Sequence, residues 1–267
     1  MESVAIPVVA LFVPGDRADR FARAVATGDV AILDLEDAVA GANKVAARDR
    51  VREALEGGLH CWVRINEPAS DAGTADLRAI AGTPPAAIVV PKASRAVDIE
   101  AVRRAANVPI VALIESVAGF AAIDDVARSG LVALAFGAYD FCAELGARPT
   151  PEVLAPWRAR VVFAARAAGI AAIDTPFVAL DDPAGLAREA ALAVDFGFDG
   201  KLAVHPNQVA AIRGAFAPTP EELAWAHGVA DAAEDGGVRR FEGGMVDAPL
   251  ERAARRILSR ARDVGSL

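Results

Sequence analysis

Lysine, cysteine and histidine are all scarce in this chain of 267 residues. The two cysteines, Cys61 and Cys142, are isolated, which excludes a disulfide framework and a cysteine-rich zinc site. His60 and His227 have no carboxylate or cysteine cluster near them in sequence, so a zinc triad is not supported. Positive charge is in deficit. The 28 Lys and Arg against 36 Asp and Glu leave a net charge of −8. Nucleic-acid binding requires a basic footprint, so nucleic acid is excluded as a general partner, while an anionic small ligand held by a local cluster is not. Long hydrophobic runs are missing too. The mean hydropathy of +0.32 is high for a soluble protein. Yet the longest uncharged stretches, Ala105–Ile114 and Ser129–Tyr139, fall far short of the roughly 20 residues a bilayer span requires. No membrane partner is expected, and much of the apolar content is alanine suited to helices packed on a sheet. The first residues lack the pattern of a secretory signal, so a cytoplasmic location is expected.

What the chain has is a rhythm. Short runs rich in Val, Ile, Leu and Ala recur at Val8–Val13, Val30–Leu35, Cys61–Ile65, Ala87–Val90, Ile110–Ile114, Leu131–Phe136, Ile170–Ile173 and Gly200–Val204. Near-continuous apolar runs of this length are the pattern of parallel strands buried on both faces. Between them, helical spacing is read at Asp19–Ala26, Lys44–Glu56, Ser94–Ala106, Val117–Ser129, Pro151–Ala168 and Asp181–Phe196. Eight strands alternating with helices in a chain of this size predict a TIM (β/α)8 barrel over residues 1–216. A doubly wound open sheet would carry a glycine-rich turn after the first strand, but the turn here reads Pro14-Gly15-Asp16-Arg17. Residues 217–267 form an extra C-terminal helical segment of the same domain. It either closes the barrel bottom or reaches a neighbouring subunit.

In such a barrel the chemistry sits where strands end. Glu115 and Asp140 end the fifth and sixth runs, where two buried carboxylates need either basic partners or a hard divalent cation such as Mg2+. Arg64 ends the third run, as a charge partner for Glu36 or Asp37 or as a receptor for a carboxylate or enolate. Glu36 and Asp37 are adjacent, so in an extended strand they face opposite sides. Lys92 is weighed as a Schiff-base nucleophile and set aside, because acidic strand ends nearby would keep it charged. Lys201, early in the last run, and His205, beside Pro206, are read as structural. Arg17, Arg20 and Arg23, with Lys44, form either a solvated face or a small basic rim for a phosphate-bearing carrier.

These residues sit in segments that occur in order: Leu11-Phe12-Val13-Pro14-Gly15-Asp16-Arg17, Leu33-Asp34-Leu35-Glu36-Asp37-Ala38-Val39 with Lys44 and Ala47-Arg48, Val63-Arg64-Ile65-Asn66, Val90-Pro91-Lys92-Ala93, Leu113-Ile114-Glu115-Ser116, Phe136-Gly137-Ala138-Tyr139-Asp140, His205-Pro206-Asn207-Gln208, and the tail Phe241–Asp247. Together they resemble the citrate lyase beta-subunit-like (CitE-like) branch of the HpcH/HpaI aldolase family. The resemblance implies Mg2+-dependent carbon–carbon chemistry on a CoA or acyl-carrier thioester and a homo-oligomer, a trimer or a hexamer. It implies Glu115 and Asp140 as metal ligands, with Glu115 also at the substrate, and Arg64 on a substrate oxygen. Glu36 and Asp37 would shape the metal's outer shell, Arg17 and Lys44 would face the CoA phosphates, and Asp247 would enter a neighbouring subunit's active site. The implied reaction cleaves a 3-hydroxyacyl-CoA of the citramalyl-CoA or malyl-CoA type. A malyl-CoA-type thioesterase and the beta subunit of a multi-subunit citrate lyase stand as alternatives.

Overall fold

The computed structural model describes residues 6–234, 239–241 and 244–265. The chain separates into two compact units, residues 1–212 and 213–267. In the first, β1 (Val9–Pro14), β2 (Val30–Asp34), β3 (Trp62–Arg64), β4 (Ala87–Val90), β5 (Ile110–Ile114), β6 (Ala133–Phe136), β7 (Ala171–Asp174) and β8 (Gly200–Ala203) form a closed barrel in sequence order. Every neighbouring pair is parallel, and β8 closes onto β1 with Ala10 opposite Leu202. The fold is a (β/α)8 barrel.

Strand parity decides what enters the barrel. Ala10, Val30, Ile32, Trp62, Ala87, Val89, Val111, Leu113, Ala133, Ala135, Ile173 and Leu202 pack together as one buried cluster. On each strand these are alternate residues, as a pleated chain with period two requires. The helices alternate with the strands: α1 (Phe21–Thr27), α2 (Lys44–Glu56), α3 (Asp71–Ile80), α4 (Ala96–Ala106), α5 (Val117–Ala121), α6 (Ile123–Ala127), α7 (Ala138–Leu145), α8 (Pro151–Ala168) and α9 (Pro183–Phe196), and α10 (Val209–Phe216) follows β8 and runs into the second unit. Their starts follow side-chain chemistry. The Ser116 hydroxyl accepts the Gly119 N–H at 2.9 Å, and Asp182 accepts the Gly185 N–H at 2.7 Å just before Pro183.

Two departures from the sequence reading bear on the barrel mouth. Helix α3 has no clear signal in the sequence, because Asp71, Gly73 and Thr74 in its first turn are weak helix formers. Ser70 starts it, and Gly73 is required there, since a Cβ would lie 2.8 Å from the Asn66 carbonyl oxygen. The expected single helix over Val117–Ser129 is instead two, broken at Ala122.

The second unit contains α11 (Pro220–Glu234), the antiparallel pair β9 (Arg239–Phe241) and β10 (Gly244–Val246), and α12 (Ala248–Asp263). Ala226, Val229 and Ala254 form its buried core, against which Trp225, Phe241, Leu250 and Ile257 pack. The strand pair interrupts the helical segment expected over residues 217–267; Glu242 and Gly243 of the tail motif lie outside the described residues. Among the described residues no helix is long and apolar enough to cross a membrane.

Candidate active site

The inward parity does not stop where the strands end. Two residues beyond Ile32, Trp62, Leu113, Ala135, Ile173 and Leu202 stand Asp34, Arg64, Glu115, Gly137, Thr175 and Val204, and all six line a cavity of about 250 Å3 at the C-terminal end of the barrel. The same alternation that fills the barrel with apolar side chains therefore delivers polar ones to its mouth.

Asp34 and Arg64 are register partners on β2 and β3. The Arg64 guanidinium forks onto Asp34, with Nε on Oδ1 at 2.7 Å and Nη2 on Oδ2 at 2.6 Å. Its Nη1 lies 2.8 Å from Glu36 Oε2, an ion pair without hydrogen-bond alignment, so Glu36 Oε2 is buried with no donor. The Phe12 ring lies under the guanidinium, 4.8 Å from Cζ to its centre. Burial works against the guanidinium's charge, but Asp34, Glu36 and Glu115 outweigh it and raise the pKa. Arg64 is thus a fixed, permanently charged fork. Its main partner is Asp34 and not Glu36 or Asp37, as the parity of β2, on which Asp34 follows Val30 and Ile32, requires.

Glu115 is 3% exposed and accepts the Lys92 backbone N–H at 2.8 Å. Burial, reinforced by the Glu36 charge, pushes its carboxyl up to about 8 against the pull of that N–H and of Arg64. Glu36 is raised for the same first reason, burial, opposed by Arg64 and by the Lys92 ammonium 2.8 Å away. Gly137 stands against Glu115: a Cβ there would sit 2.6 Å from Oε2. Asp140 faces the same cavity but does not end a strand. Strand β6 stops at Phe136, and Gly137 leads directly into α7, so Asp140 stands exposed in that helix's first turn. Thr175 Oγ1 accepts the Ala138 N–H at 3.1 Å and fixes this turn to β7.

The donor chemistry can be tested against a metal. Among the described residues no three His, Cys, Asp or Glu side chains are grouped to hold one. That excludes a closed zinc-type cage. Two carboxylates at one cavity, Glu115 and Asp140, suit an ion that takes one or two protein carboxylates and fills its shell with water and substrate oxygens, which is the habit of Mg2+. The charges agree. Once Glu115 gives up its proton, as a metal ligand must, Asp34, Glu36, Glu115 and Asp140 outnumber Arg64 and Lys92 by two, the charge of one such ion.

Residues 9–206 match the model of the HpcH/HpaI aldolase/citrate lyase family. The chain belongs to that family. A citrate lyase subunit beta-like protein of Mycobacterium tuberculosis is 37% identical over 266 residues, covering 96% of each chain. A (3S)-malyl-CoA thioesterase of Cereibacter sphaeroides is 35% identical over 271 residues, covering 96% of this chain and 95% of its own. The crystal structure of protein CitE from M. tuberculosis in complex with magnesium, acetoacetate and coenzyme A superimposes with a TM-score of 0.84 at 36% identity, over 97% of this chain and 99% of that one.

The other residues that the family resemblance singles out are not gathered in one place. Asp37 is exposed beside the buried Glu36. Arg17 is paired with Asp19 at 2.8 Å on the surface. Lys44, expected at a phosphate, turns inward instead: its ammonium donates to the Leu35 and Glu36 carbonyls, each at 2.8 Å, and to Asn66 Oδ1 at 2.6 Å. Three acceptors use all three of its N–H groups. Asp247 belongs to the second unit, where it caps α12 by accepting the Leu250 N–H at 3.0 Å. His205 Nδ1 accepts the Asn207 N–H at 3.2 Å, and Lys201 is fully buried on Asp174.

Proposed function

We propose that the protein is a Mg2+-dependent carbon–carbon lyase that cleaves a short 3-hydroxyacyl-CoA thioester, of the citramalyl-CoA or malyl-CoA type, into acetyl-CoA and a 2-oxo acid. The observation that carries this reading is the convergence on one cavity of two carboxylates, Glu115 and Asp140, with a guanidinium locked by Asp34. Glu115 and Asp140 would hold the ion, which supplies Lewis acidity to the hydroxyl and carboxylate oxygens of the substrate. Arg64 meets the thioester oxygen. When the C–C bond breaks, its electron pair passes to the thioester as an enolate, and the preset fork stabilises that charge. One such donor is worth about 2.7–4 kcal/mol. Glu36 holds Arg64 from its second side, and the exposed Asp37 borders the site's outer shell. A base takes the hydroxyl proton and an acid protonates the enolate carbon, and Asp247 of a neighbouring subunit fills one of these roles. The enzyme is then a trimer or hexamer acting in the cytoplasm, with Arg17 at the CoA phosphates.

Purified protein incubated with citramalyl-CoA and malyl-CoA, with Mg2+ or with EDTA, tests the reading. Acetyl-CoA and 2-oxo acid formed in equal amounts, and only with Mg2+, are expected. Free CoA with the intact hydroxy acid would instead establish thioester hydrolysis, the second reading, which the 35% identity to a malyl-CoA thioesterase favours. Turnover only after addition of an acyl-carrier partner would mark a subunit of a larger lyase. For Asp247, mixing inactive Asp247→Ala and Arg64→Ala proteins is expected to restore part of the activity, because a mixed oligomer contains some sites with both residues intact. No recovery on mixing would place Asp247 outside the neighbour's site.

A further inference from the structure

Lys92 follows β4 through Pro91 and takes a left-handed backbone, with φ of +48°. Among the described residues the only other non-glycine residue with positive φ is Asn107, the C-cap of α4. Asparagine tolerates that cap position; lysine has no such allowance. The turn is pinned, because the next residue, Ala93, donates its N–H to the Leu113 carbonyl of β5 at 3.1 Å. From this turn the single residue Lys92 donates to two different carboxylates. Its backbone N–H reaches Glu115 Oε1 at 2.8 Å, and its Nζ reaches Glu36 Oε1 at 2.8 Å.

A glycine would adopt this backbone without steric cost and would still donate the N–H. The backbone need alone therefore does not explain a lysine. Nor does the composition, which carries 25 arginines to 3 lysines. The two cations on Glu36 differ in kind. Arg64 is a planar fork committed to Asp34, whereas an ammonium is a compact charge that can close on one oxygen from a short turn. All three lysines of the chain donate to buried acceptors, Lys44 to Leu35, Glu36 and Asn66, Lys201 to Asp174 and Thr175, and Lys92, itself exposed, to Glu36.

We infer that Lys92 is a positioning residue that fixes the separation of two carboxylates, its backbone N–H seating Glu115 and its ammonium seating Glu36 and, through Glu36, the open side of Arg64. What the clamp serves rests on the lyase reading; the clamp itself does not.

Three variants separate the two bonds: Lys92→Gly keeps the N–H and removes the whole side chain, Lys92→Met keeps an apolar chain of similar length and removes the ammonium with its donors, and Lys92→Cys treated with 2-bromoethylamine rebuilds an ammonium. Cys61 and Cys142 are buried and shielded from that reagent. In Lys92→Gly, Mg2+ affinity measured by calorimetry is expected to stay within about twofold, while kcat falls about tenfold at little-changed KM, the pattern of an interaction realised in the transition state. Aminoethylation of Lys92→Cys should restore most of kcat. Thermal midpoints of Lys92→Met, Glu36→Gln and the double variant should show that the double loss is smaller than the sum of the single ones. Unaltered kcat in Lys92→Gly, no rescue by aminoethylation, or additive thermal losses would each overturn the inference. If the unmodified protein turns over no CoA ester, the lyase reading fails and the thermal cycle still decides the clamp.

Discussion

Behind β7, Arg158 and Lys201 face Asp174 and Glu189. Asp174 accepts Arg158 Nε at 3.0 Å and Lys201 Nζ at 2.5 Å, Arg158 also pairs with Glu189, and Lys201 donates to the Thr175 carbonyl at 2.7 Å. Two cations meet two carboxylates, and Arg158, Asp174 and Lys201 are fully buried. At the mouth above β2 to β6, Arg64 and Lys92 stand with Asp34, Glu36, Glu115 and Asp140, and the cluster opens on a cavity. The first cluster is balanced and sealed. The second carries excess negative charge, two units when Glu115 is ionised, and a carboxylate oxygen in it, Glu36 Oε2, has no donor. A charge-balanced network closed off from solvent offers no opening to a ligand, even with Arg158 Nη1 left without a hydrogen-bond partner, and holds the wall of the barrel. An unbalanced, open one is a place prepared for a cation and an anion that arrive from solution. Substitutions in the two clusters should therefore fail in opposite ways.

The largest effect is expected in the sealed cluster. Asp174→Ala leaves Arg158 and Lys201 buried without their shared carboxylate, and breaking a buried pair costs about 3–5 kcal/mol. For a unit of this size the thermal midpoint should fall by about 6–20 °C, readable by circular dichroism or calorimetry. Because Thr175 holds the first turn of α7 in place, some loss of Mg2+ affinity should follow, but smaller than the stability loss. A variant with unchanged midpoint would erase the distinction between the clusters.

In the open cluster the sign reverses. Glu115 keeps its proton in the folded, metal-free protein up to about pH 8, whereas in the unfolded chain it releases it near 4.5. Between these values unfolding releases a proton, so stability falls as pH rises through the window. Glu115→Gln removes that penalty, on the order of 3 kcal/mol near neutral pH. The metal-free variant should melt higher than the parent protein at pH 8 and no higher at pH 4. Its Mg2+ affinity should drop by more than the roughly 10–100-fold that outer partners of metal ligands cost. In the parent protein Mg2+ binding should expel a proton, so affinity rises with pH and levels off near 8. Equal affinity at pH 6 and 8 would show that the carboxyl is already ionised in the metal-free state.

The same contrast explains what the sequence disclosed. Eight apolar runs announce the barrel, because a parallel strand buried on both faces has little choice of residue. Glu115 and Arg64 stood out as charges closing such runs. Asp34 did as well, yet three acidic residues within Asp34–Asp37 could not be ranked without fixing which of them shares the parity of Val30 and Ile32. The sealed cluster was harder to see. Arg158 comes from the middle of α8 and Glu189 from α9, so the partners of Asp174 are set by how helices pack on β7 and carry no local signal. Lys92 was recognised as a charge at a strand end but not as a bifunctional donor, since its left-handed backbone has no signature in Val90-Pro91-Lys92-Ala93.

The smallest effects separate two cations that the sequence placed on one rim. Lys44 behaves as part of the interior: its three acceptors include the carbonyl of Glu36 and a side chain, Asn66, that also donates to Asp76. Lys44→Met removes donors from part-buried acceptors, one of which, the Leu35 carbonyl, keeps the Asn66 amide as a partner, so the net loss is about 1 kcal/mol. It should lower the thermal midpoint and kcat while leaving the KM for a CoA ester, and the salt dependence of that KM, unchanged. Arg17 stands on the surface with Asp19. Arg17→Met should leave the midpoint alone and, if the residue meets a phosphate, raise KM and flatten its dependence on ionic strength, because an exposed charge acts only within a screening length of about 10 Å. Should Lys44→Met raise KM in a salt-dependent way at an unchanged midpoint, its ammonium would belong to the ligand, and the inward bonds would be a resting arrangement that substrate replaces.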